Sequence, residues 1–174
     1  MNRVFLIFCY TVSSLFINAQ NASFVVNGDA SDNNITDENG NVNCNCFQLT
    51  PNSGNKVGSV WNNNKIDLTS DVTLEFKLYL GNNDGGADGV AFAFQQTNSN
   101  IGSSGEGMGM GGVSPSLIVF IDTYDNGNND PSYDHVSINK NGDFLHGSSN
   151  ELASNIPVSG LSLIHISEPT RPRI

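Results

Sequence analysis

The segment from Phe120 to Asn139, FIDTYDNGNNDPSYDHVSIN, concentrates oxygen-bearing side chains in one short loop between two apolar stretches. Aspartates and asparagines crowd the positions from Asp122 to Asp130, and His135 follows closely. Calcium binds several oxygens at once, from carboxylates, side-chain amides and backbone carbonyls. Asp122, Asn126 and Asp130 recur at a spacing of four after a strand-like run, so one loop can fold all three around a single ion. The spacing predicts a calcium site.

Two other interpretations of this loop come from the residues alone. The EF-hand pattern does not fit, because aligning Gly127 with its glycine puts Tyr124 at a ligand position and Tyr133 where a glutamate is required. A solvated acidic hairpin loop is the purely structural alternative. His135 by itself is equally compatible with a metal ligand and with a hydrogen-bonded structural residue.

The flanking segments predict strands. DVTLEFKLYLG, beginning at Asp71, alternates apolar and polar residues, which is typical of a half-buried strand. DGVAFAFQQ and SLIVFIDTY are apolar enough on both faces to be central strands, and HVSIN, FQLT and KVGSVW are shorter candidates. Asn- and Gly-rich turns separate them, and the Gly-rich stretch NIGSSGEGMGMGG reads as a flexible linker on composition alone. This pattern predicts an all-β, antiparallel sandwich.

The N-terminal segment and the net charge indicate a secreted protein. Residues 1–19 combine Arg3, the apolar run VFLIFCYTVSSLFI and a small residue, Ala19, at a plausible cleavage point. This arrangement predicts a signal peptide, too short for a membrane span; a buried strand is the alternative. The net charge of −10 disfavours nucleic acid and anionic membranes as partners and favours cations. An oxidising compartment permits disulfides, but a bridge between Cys44 and Cys46 would be strained, so each is a candidate to pair elsewhere.

The C-terminal segment is predicted to be foreign to the fold. LSLIHISEPTR, Leu161 to Arg171, matches residue for residue a translation of a transposase-type sequencing adapter. We therefore expect the natural sequence to stop near Gly160, with residues 161–174 as an assembly artefact and residues 20–160 as one truncated domain.

The calcium loop and its neighbours resemble the legume-type (L-type) lectins. DTYDNGNNDPSYDH is similar to the metal-binding segment of that family, and GADGVAFAFQ is similar to its sugar-binding strand. A Gly-rich loop precedes the metal strand in both, and FQLTP, GSVW and NKNGDFLHGS are similar to secreted bacterial members. The resemblance covers most of residues 20–160 and implies a jelly-roll sandwich that binds glycans and is secreted or displayed at the cell surface.

The resemblance also implies a ligand set for the metal. Asp122, Asn126 and Asp130 would bind calcium through their side chains, and Tyr124 through its backbone carbonyl. In the family, a second, transition-metal site shares the two aspartates and adds a glutamate and a histidine. His135 matches that histidine, but Phe120 occupies the glutamate position. One calcium ion is therefore expected, the second site is in doubt, and His135 is a weak ligand or a structural residue.

For the sugar site, the resemblance implies that Asp88 accepts hydrogen bonds from two hydroxyls and follows a cis Ala87–Asp88 peptide braced by calcium through water. Asn126 would both bind metal and donate to the sugar. A backbone N–H of Gly107 or Gly109 and the ring of Tyr124 would complete the sugar site. Taken alone, Asp88 before Gly89 is more typical of a turn.

Two other classes of function remain as alternatives. A glycoside hydrolase of the same sandwich class would need two carboxyl groups flanking the bond, carried on one strand as E-x-D-x-E in related enzymes. None of Glu38, Glu75, Glu106 and Glu151 has that spacing, so no catalytic residue is assigned. The other alternative is an adhesion module that calcium stabilises without any glycan binding. His146 receives no role.

Overall fold

The computed structural model describes residues 4–9, 24–31, 46–69, 71–80, 85–100 and 102–158. Within them the chain forms strands with these bounds: Val4–Cys9 (β1), Phe24–Gly28 (β2), Cys46–Thr50 (β3), Gly58–Asn62 (β4), Glu75–Tyr79 (β5), Gly89–Gln95 (β6), Ser116–Asp122 (β7), His135–Lys140 (β8) and Glu151–Pro157 (β9). A short 3-10 turn, Gly105–Gly107, is the helical element among the described residues. None of the described residues forms a helix long and apolar enough to cross a membrane.

Within the described residues the strands form three antiparallel sheets. A four-stranded sheet has the order β6-β7-β8-β9, a three-stranded sheet the order β3-β1-β5, and β2 pairs with β4. All of these pairings are antiparallel. The predicted all-β, antiparallel class is confirmed.

One core cluster joins the three-stranded sheet to the four-stranded sheet. Leu78 of β5, Val90 of β6 and Ile121 of β7 are buried together. The rings of Phe76 and Phe92 stack between the same strands with centroids 5.3 Å apart. The alternation predicted for the segment around β5 is confirmed, because Leu78 and Phe76 face this core while Thr73 is exposed. Burial of these side chains is what holds β7, and with it Asp122, in place.

The opposite face of the four-stranded sheet is also covered. Ile118 and Phe120 of β7 are buried with Met110, and Trp61 and Phe144 pack against them. Met110 lies in the Gly-rich stretch, so that stretch packs on the sheet. Its N–H groups are bonded internally, for example Ser103 N–H to Gly111 O at 3.0 Å. The composition-based interpretation as a flexible linker is wrong, because this stretch packs closely: a Cβ at Gly111 would lie 1.8 Å from Ser103 Oγ and 3.1 Å from Phe144 Cε1.

Strand β6 differs from its prediction. Both of its faces are covered, as the alanines indicated, but it lies at the edge of its sheet among the described residues. A cleft of about 1630 Å³ runs between β6 and β4 and is lined by every residue of β6. The error has a physical reason, since apolar character reports burial of the faces and carries no information on which backbone edges are paired.

The N-terminal apolar run contains β1, which lies between β3 and β5. A strand in this run agrees with part of the alternative weighed above, and the signal peptide remains a prediction. Cleavage after Ala19 would remove β1 and leave facing edges of β3 and β5 without their shared neighbour. Cys44 and residues 159–174, which include the predicted adapter-like tail, lie outside the described residues.

Candidate metal centre

Two paired strand ends place the first ligands. Asp122 is the last residue of β7, His135 is the first residue of β8, and the two face each other directly in the antiparallel register. Directly opposed residues on one sheet face have Cβ atoms about 5 Å apart. Both side chains are buried. A carboxylate and an imidazole separated by twelve residues in sequence are therefore brought together by ordinary strand pairing.

The loop between these strands is folded by its own carboxylates. The N–H of Tyr124 donates to Asp122 Oδ1 at 3.0 Å, and the N–H of Asn126 donates to Asp130 Oδ2 at 2.7 Å. Gly127 and the two residues after it have φ between 57° and 77°, which turns the chain back toward the strand ends. The loop thus closes around Asp122 and Asp130 instead of extending into solvent.

His135 is oriented for a ligand on its second nitrogen. Its Nδ1 lies 3.0 Å from the carbonyl oxygen of Tyr133, to which it donates in the neutral Nδ1–H tautomer. Its Nε2 is buried, has no hydrogen-bond partner and lies 3.8 Å from Asp130 Oδ1. A histidine fixed through one nitrogen by a carbonyl is the usual arrangement of a metal ligand.

His146 joins this group, although the sequence analysis gave it no role. Its Nε2 lies 3.1 Å from Asp130 Oδ1, and its ring centroid lies 4.9 Å from that of His135. Asp122, Asp130, His135 and His146 each offer one ligand atom, and these four atoms all lie within 4.8 Å of one another. The connection between β8 and β9 brings His146 back over the strand ends.

The electrostatics of this cluster favour a cation. The pKa of Asp122 is raised to about 6, mainly by burial and in smaller part by the nearby Asp130 charge, although the Tyr124 N–H and the two histidines act to lower it. Asn126 Oδ1, Asp130 Oδ1 and His135 Nε2 are buried without a hydrogen-bond partner. Buried polar atoms without a partner are costly, and a metal ion would supply one for each. The residues present therefore fit a metal site.

Asp88 lies beside the metal loop. The Ala87–Asp88 peptide is cis, as predicted. Asn126 Nδ2 donates to Asp88 Oδ1 at 3.1 Å, and the N–H of Thr123 donates to the Asp88 carbonyl at 3.0 Å. Gly89 pairs with Asp122 in the register of β6 and β7. The predicted sugar-binding carboxylate and the predicted metal loop are thus in direct contact.

The other predicted sugar contacts differ in their availability. Tyr124 is 48% exposed, so its ring is accessible. The N–H of Gly109 already donates to Ser103 O at 2.9 Å, and both Gly107 and Gly109 are buried. The N–H of Gly109 is therefore engaged within the Gly-rich loop, and a sugar contact from the N–H of Gly107 or Gly109 stays a prediction.

Comparisons with known proteins identify sequences similar to this chain. A family model described as the legume lectin beta-barrel domain matches residues 17–165 of this chain. The pesticidal crystal protein Cry22Aa of Bacillus thuringiensis is 31% identical over 87 residues. That match covers 49% of this chain and 12% of the Bacillus protein, so it concerns a small part of the relative's length.

Proposed function

Since this chain belongs to the legume-type (L-type) lectin domain family, we propose that it binds glycans at Asp88, in a pocket that depends on calcium held by the adjoining loop. Carbohydrate binding is what the family suggests, and the calcium requirement comes from the chain's own residues. The observation that carries the proposal is the position of the Asn126 amide. Its nitrogen donates to Asp88, while its oxygen is buried without a partner.

The proposed calcium ligands are the side chains of Asp122, Asn126 and Asp130 with the carbonyl of Tyr124. When bound, the ion supplies positive charge that neutralises the two buried carboxylates. Asp130 contributes in a second way, because its Oδ2 holds the Asn126 backbone. The side chain of Asn126 in turn holds Asp88. A chain of two hydrogen bonds thus connects the proposed metal ligands to the sugar-binding carboxylate.

Asp88 and its neighbours suit the chemistry of sugar hydroxyls. A carboxylate accepts hydrogen bonds from two adjacent hydroxyls, and an epimer that misplaces one of them leaves an acceptor unpaired. The exposed ring of Tyr124 offers a flat apolar surface for the C–H face of a sugar ring. Fixed polar groups beside one aromatic surface favour recognition of a particular sugar epimer.

Glycan binding is tested by changing Asp88 alone. We expect Asp88→Asn to lose roughly 10- to 100-fold in glycan affinity, because hydrogen bonds to a charged group contribute about 1.5–3 kcal/mol. A glycan array identifies the ligand, and calorimetry with that glycan measures the loss. Calcium affinity should stay near that of the wild type, since Asp88 is not a proposed metal ligand.

The matched control is Asp67→Asn, which removes the same charge from an exposed loop whose carboxylate bonds only locally to Thr69. Its glycan affinity should equal that of the wild type. Full affinity in Asp88→Asn, or an array on which the calcium-loaded wild type binds no glycan, contradicts the proposal; the latter result favours the adhesion module.

We further propose that binding is not followed by cleavage of the glycan. Hydrolysis needs a second carboxyl group across the scissile bond from the first. The loop carboxylates of Asp122 and Asp130 are grouped with the histidines. Prolonged incubation with a bound polysaccharide should release no reducing ends. If the wild type releases reducing ends and Asp88→Asn does not, the protein is instead a hydrolase.

Secretion is the remaining part of the proposal, supported by the leader-like residues 1–19. The full chain expressed in a secreting bacterial host should appear outside the cytoplasm with Gln20 as its first residue. Intact-mass measurement and N-terminal sequencing check this expectation. If the exported chain retains residues 4–9, these residues belong to the mature protein as strand β1.

A further inference from the structure

We propose that Asn126 is a site of spontaneous deamidation, and that this modification inactivates the proposed sugar site. Asparagine followed by glycine occurs four times in the sequence, at Asn27, Asn39, Asn126 and Asn141. Glycine carries no side chain that shields its backbone nitrogen, so this nitrogen can approach the amide of the preceding residue. The step at Asn39 lies outside the described residues, and the other three steps can be compared directly.

The reaction at Asn126 needs only the chain itself and water. The backbone nitrogen of Gly127 attacks Cγ of Asn126 and loses its proton, while the Cγ–Nδ2 bond breaks and ammonia leaves with that proton. The product is a five-membered succinimide ring that joins the two residues. Water then opens the ring at either carbonyl, which leaves aspartate or isoaspartate at position 126. No oxidant or reductant takes part.

The Asn126–Gly127 step is open to this attack. Gly127 is exposed, and a Cβ built on it would have no atom within 4 Å. Its N–H donates to Asp125 Oδ1 at 2.8 Å, so an exposed carboxylate is placed to take the proton that the nitrogen must lose. The step lies between β7 and β8 and belongs to neither strand, so bringing the nitrogen to Cγ breaks no hydrogen bond of the sheet.

The other two described steps are held by their surroundings. Gly142 is buried, and a Cβ on it would lie 2.3 Å from the backbone nitrogen of Val113. Its own N–H donates to Ser116 Oγ at 3.0 Å. Asn27 and Gly28 both belong to β2 and are paired residue by residue with β4. Attack at either step must first displace these contacts, so the free energy of local opening limits its rate.

Loss of the Asn126 amide would remove the contact that directs this residue at the sugar site. Asn126 Nδ2 donates to Asp88 Oδ1 at 3.1 Å. An ionised carboxylate at position 126 cannot donate, and it places a second negative charge beside Asp88. Isoaspartate also lengthens the backbone by one carbon, which disturbs the bond of 2.7 Å from the Asn126 N–H to Asp130 Oδ2. The effect on glycan binding rests on the proposed function, whereas the chemistry at Asn126 does not.

Deamidation is measured by incubating the freshly purified full chain at physiological temperature and pH and mapping its peptides by mass spectrometry. We expect acid to replace amide at Asn126 about tenfold faster or more than at Asn27 or Asn141, because those two steps require local opening. Labelling by an isoaspartyl methyltransferase should mark the peptide that contains Asn126. Gly127→Asn should slow the reaction about tenfold or more, because the new side chain shields the nitrogen, and asparagine tolerates a positive φ, as Asn128 shows.

Calorimetry on the same samples measures the consequence, and the number of glycan sites per chain should fall in step with the modified fraction. Asn126→Asp reproduces one of the two products and should bind glycan roughly 10- to 100-fold more weakly. Calcium binding should be retained in this variant, because a carboxylate oxygen is also a calcium ligand. Asn141→Asp makes the same charge change at an exposed turn residue and should bind glycan like the wild type.

The two readouts separate the possible failures. Equal rates of modification at Asn126 and Asn141, or wild-type glycan affinity in Asn126→Asp, would overturn the proposal. A freshly purified wild type that binds no glycan would overturn the proposed function and with it the inactivation, while the peptide map would still decide whether Asn126 is modified.

Discussion

Replacing Asp130 with alanine is expected to abolish detectable glycan binding, a loss of more than 100-fold, although Asp130 is not proposed to touch the sugar. Its Oδ2 holds the backbone of Asn126, and its Oδ1 lies in the cluster with the two histidines. Alanine removes both contacts together with a proposed calcium ligand. Asn126 then loses the support that directs its amide at Asp88. Calorimetry with the glycan found on the array, at saturating calcium, measures the loss.

Asp125→Ala is the matched control for this change. Asp125 lies in the same loop, is exposed, and accepts a bond from the N–H of Gly127 at 2.8 Å, but it is not a proposed ligand. Its glycan affinity should remain within about threefold of the wild type, as expected for a surface substitution. If Asp130→Ala binds glycan as well as Asp125→Ala does, the metal loop does not organise the sugar site.

A methyl group at Gly89 is expected to cost about 3 kcal/mol or more of the free energy of unfolding. A Cβ there would lie 2.2 Å from the Ile121 carbonyl oxygen and 3.2 Å from the Asp122 Cα, both backbone atoms of the paired strand. The φ of +143° is also unfavourable for any residue other than glycine. Relief of this clash must separate β6 from β7 beside Asp88. Urea unfolding measures the stability of Gly89→Ala, and calorimetry measures its glycan affinity.

Gly54→Ala provides the comparison, since a Cβ at that position has no atom within 4 Å. It should change the free energy of unfolding by less than about 0.5 kcal/mol. Equal stability of the two alanine variants would show that β6 does not approach β7 as closely as the register indicates.

The local part of the fold could be predicted from the sequence. Alternation around Leu78 identified β5, and the apolar run ending at Asp122 identified β7, because side-chain periodicity directly reports which faces are buried. The grouping of Asp122, Asp130 and His135 also followed from local order. The strand pair β7–β8 brings its own two ends together, so the loop between them cannot spread its ligands far apart.

What depends on the path of the chain could not be predicted in this way. His146 reaches the cluster because the turn after β8 folds back, with Phe144 packed against the core cluster of Ile118 and Phe120. The internal use of the Gly109 N–H depends on loop closure that composition does not encode. The cis peptide before Asp88 was expected from the family resemblance, since nothing in the local residue types requires it.

The most direct measurement is calorimetry of glycan binding to the wild-type protein, made first on the metal-free chain and then as calcium is returned. No heat of glycan binding is expected without metal, and binding should recover in step with calcium occupancy. Asp88→Asn should take up calcium equally but bind glycan roughly 10- to 100-fold more weakly. Glycan binding of full strength in the metal-free protein would contradict this dependence on calcium.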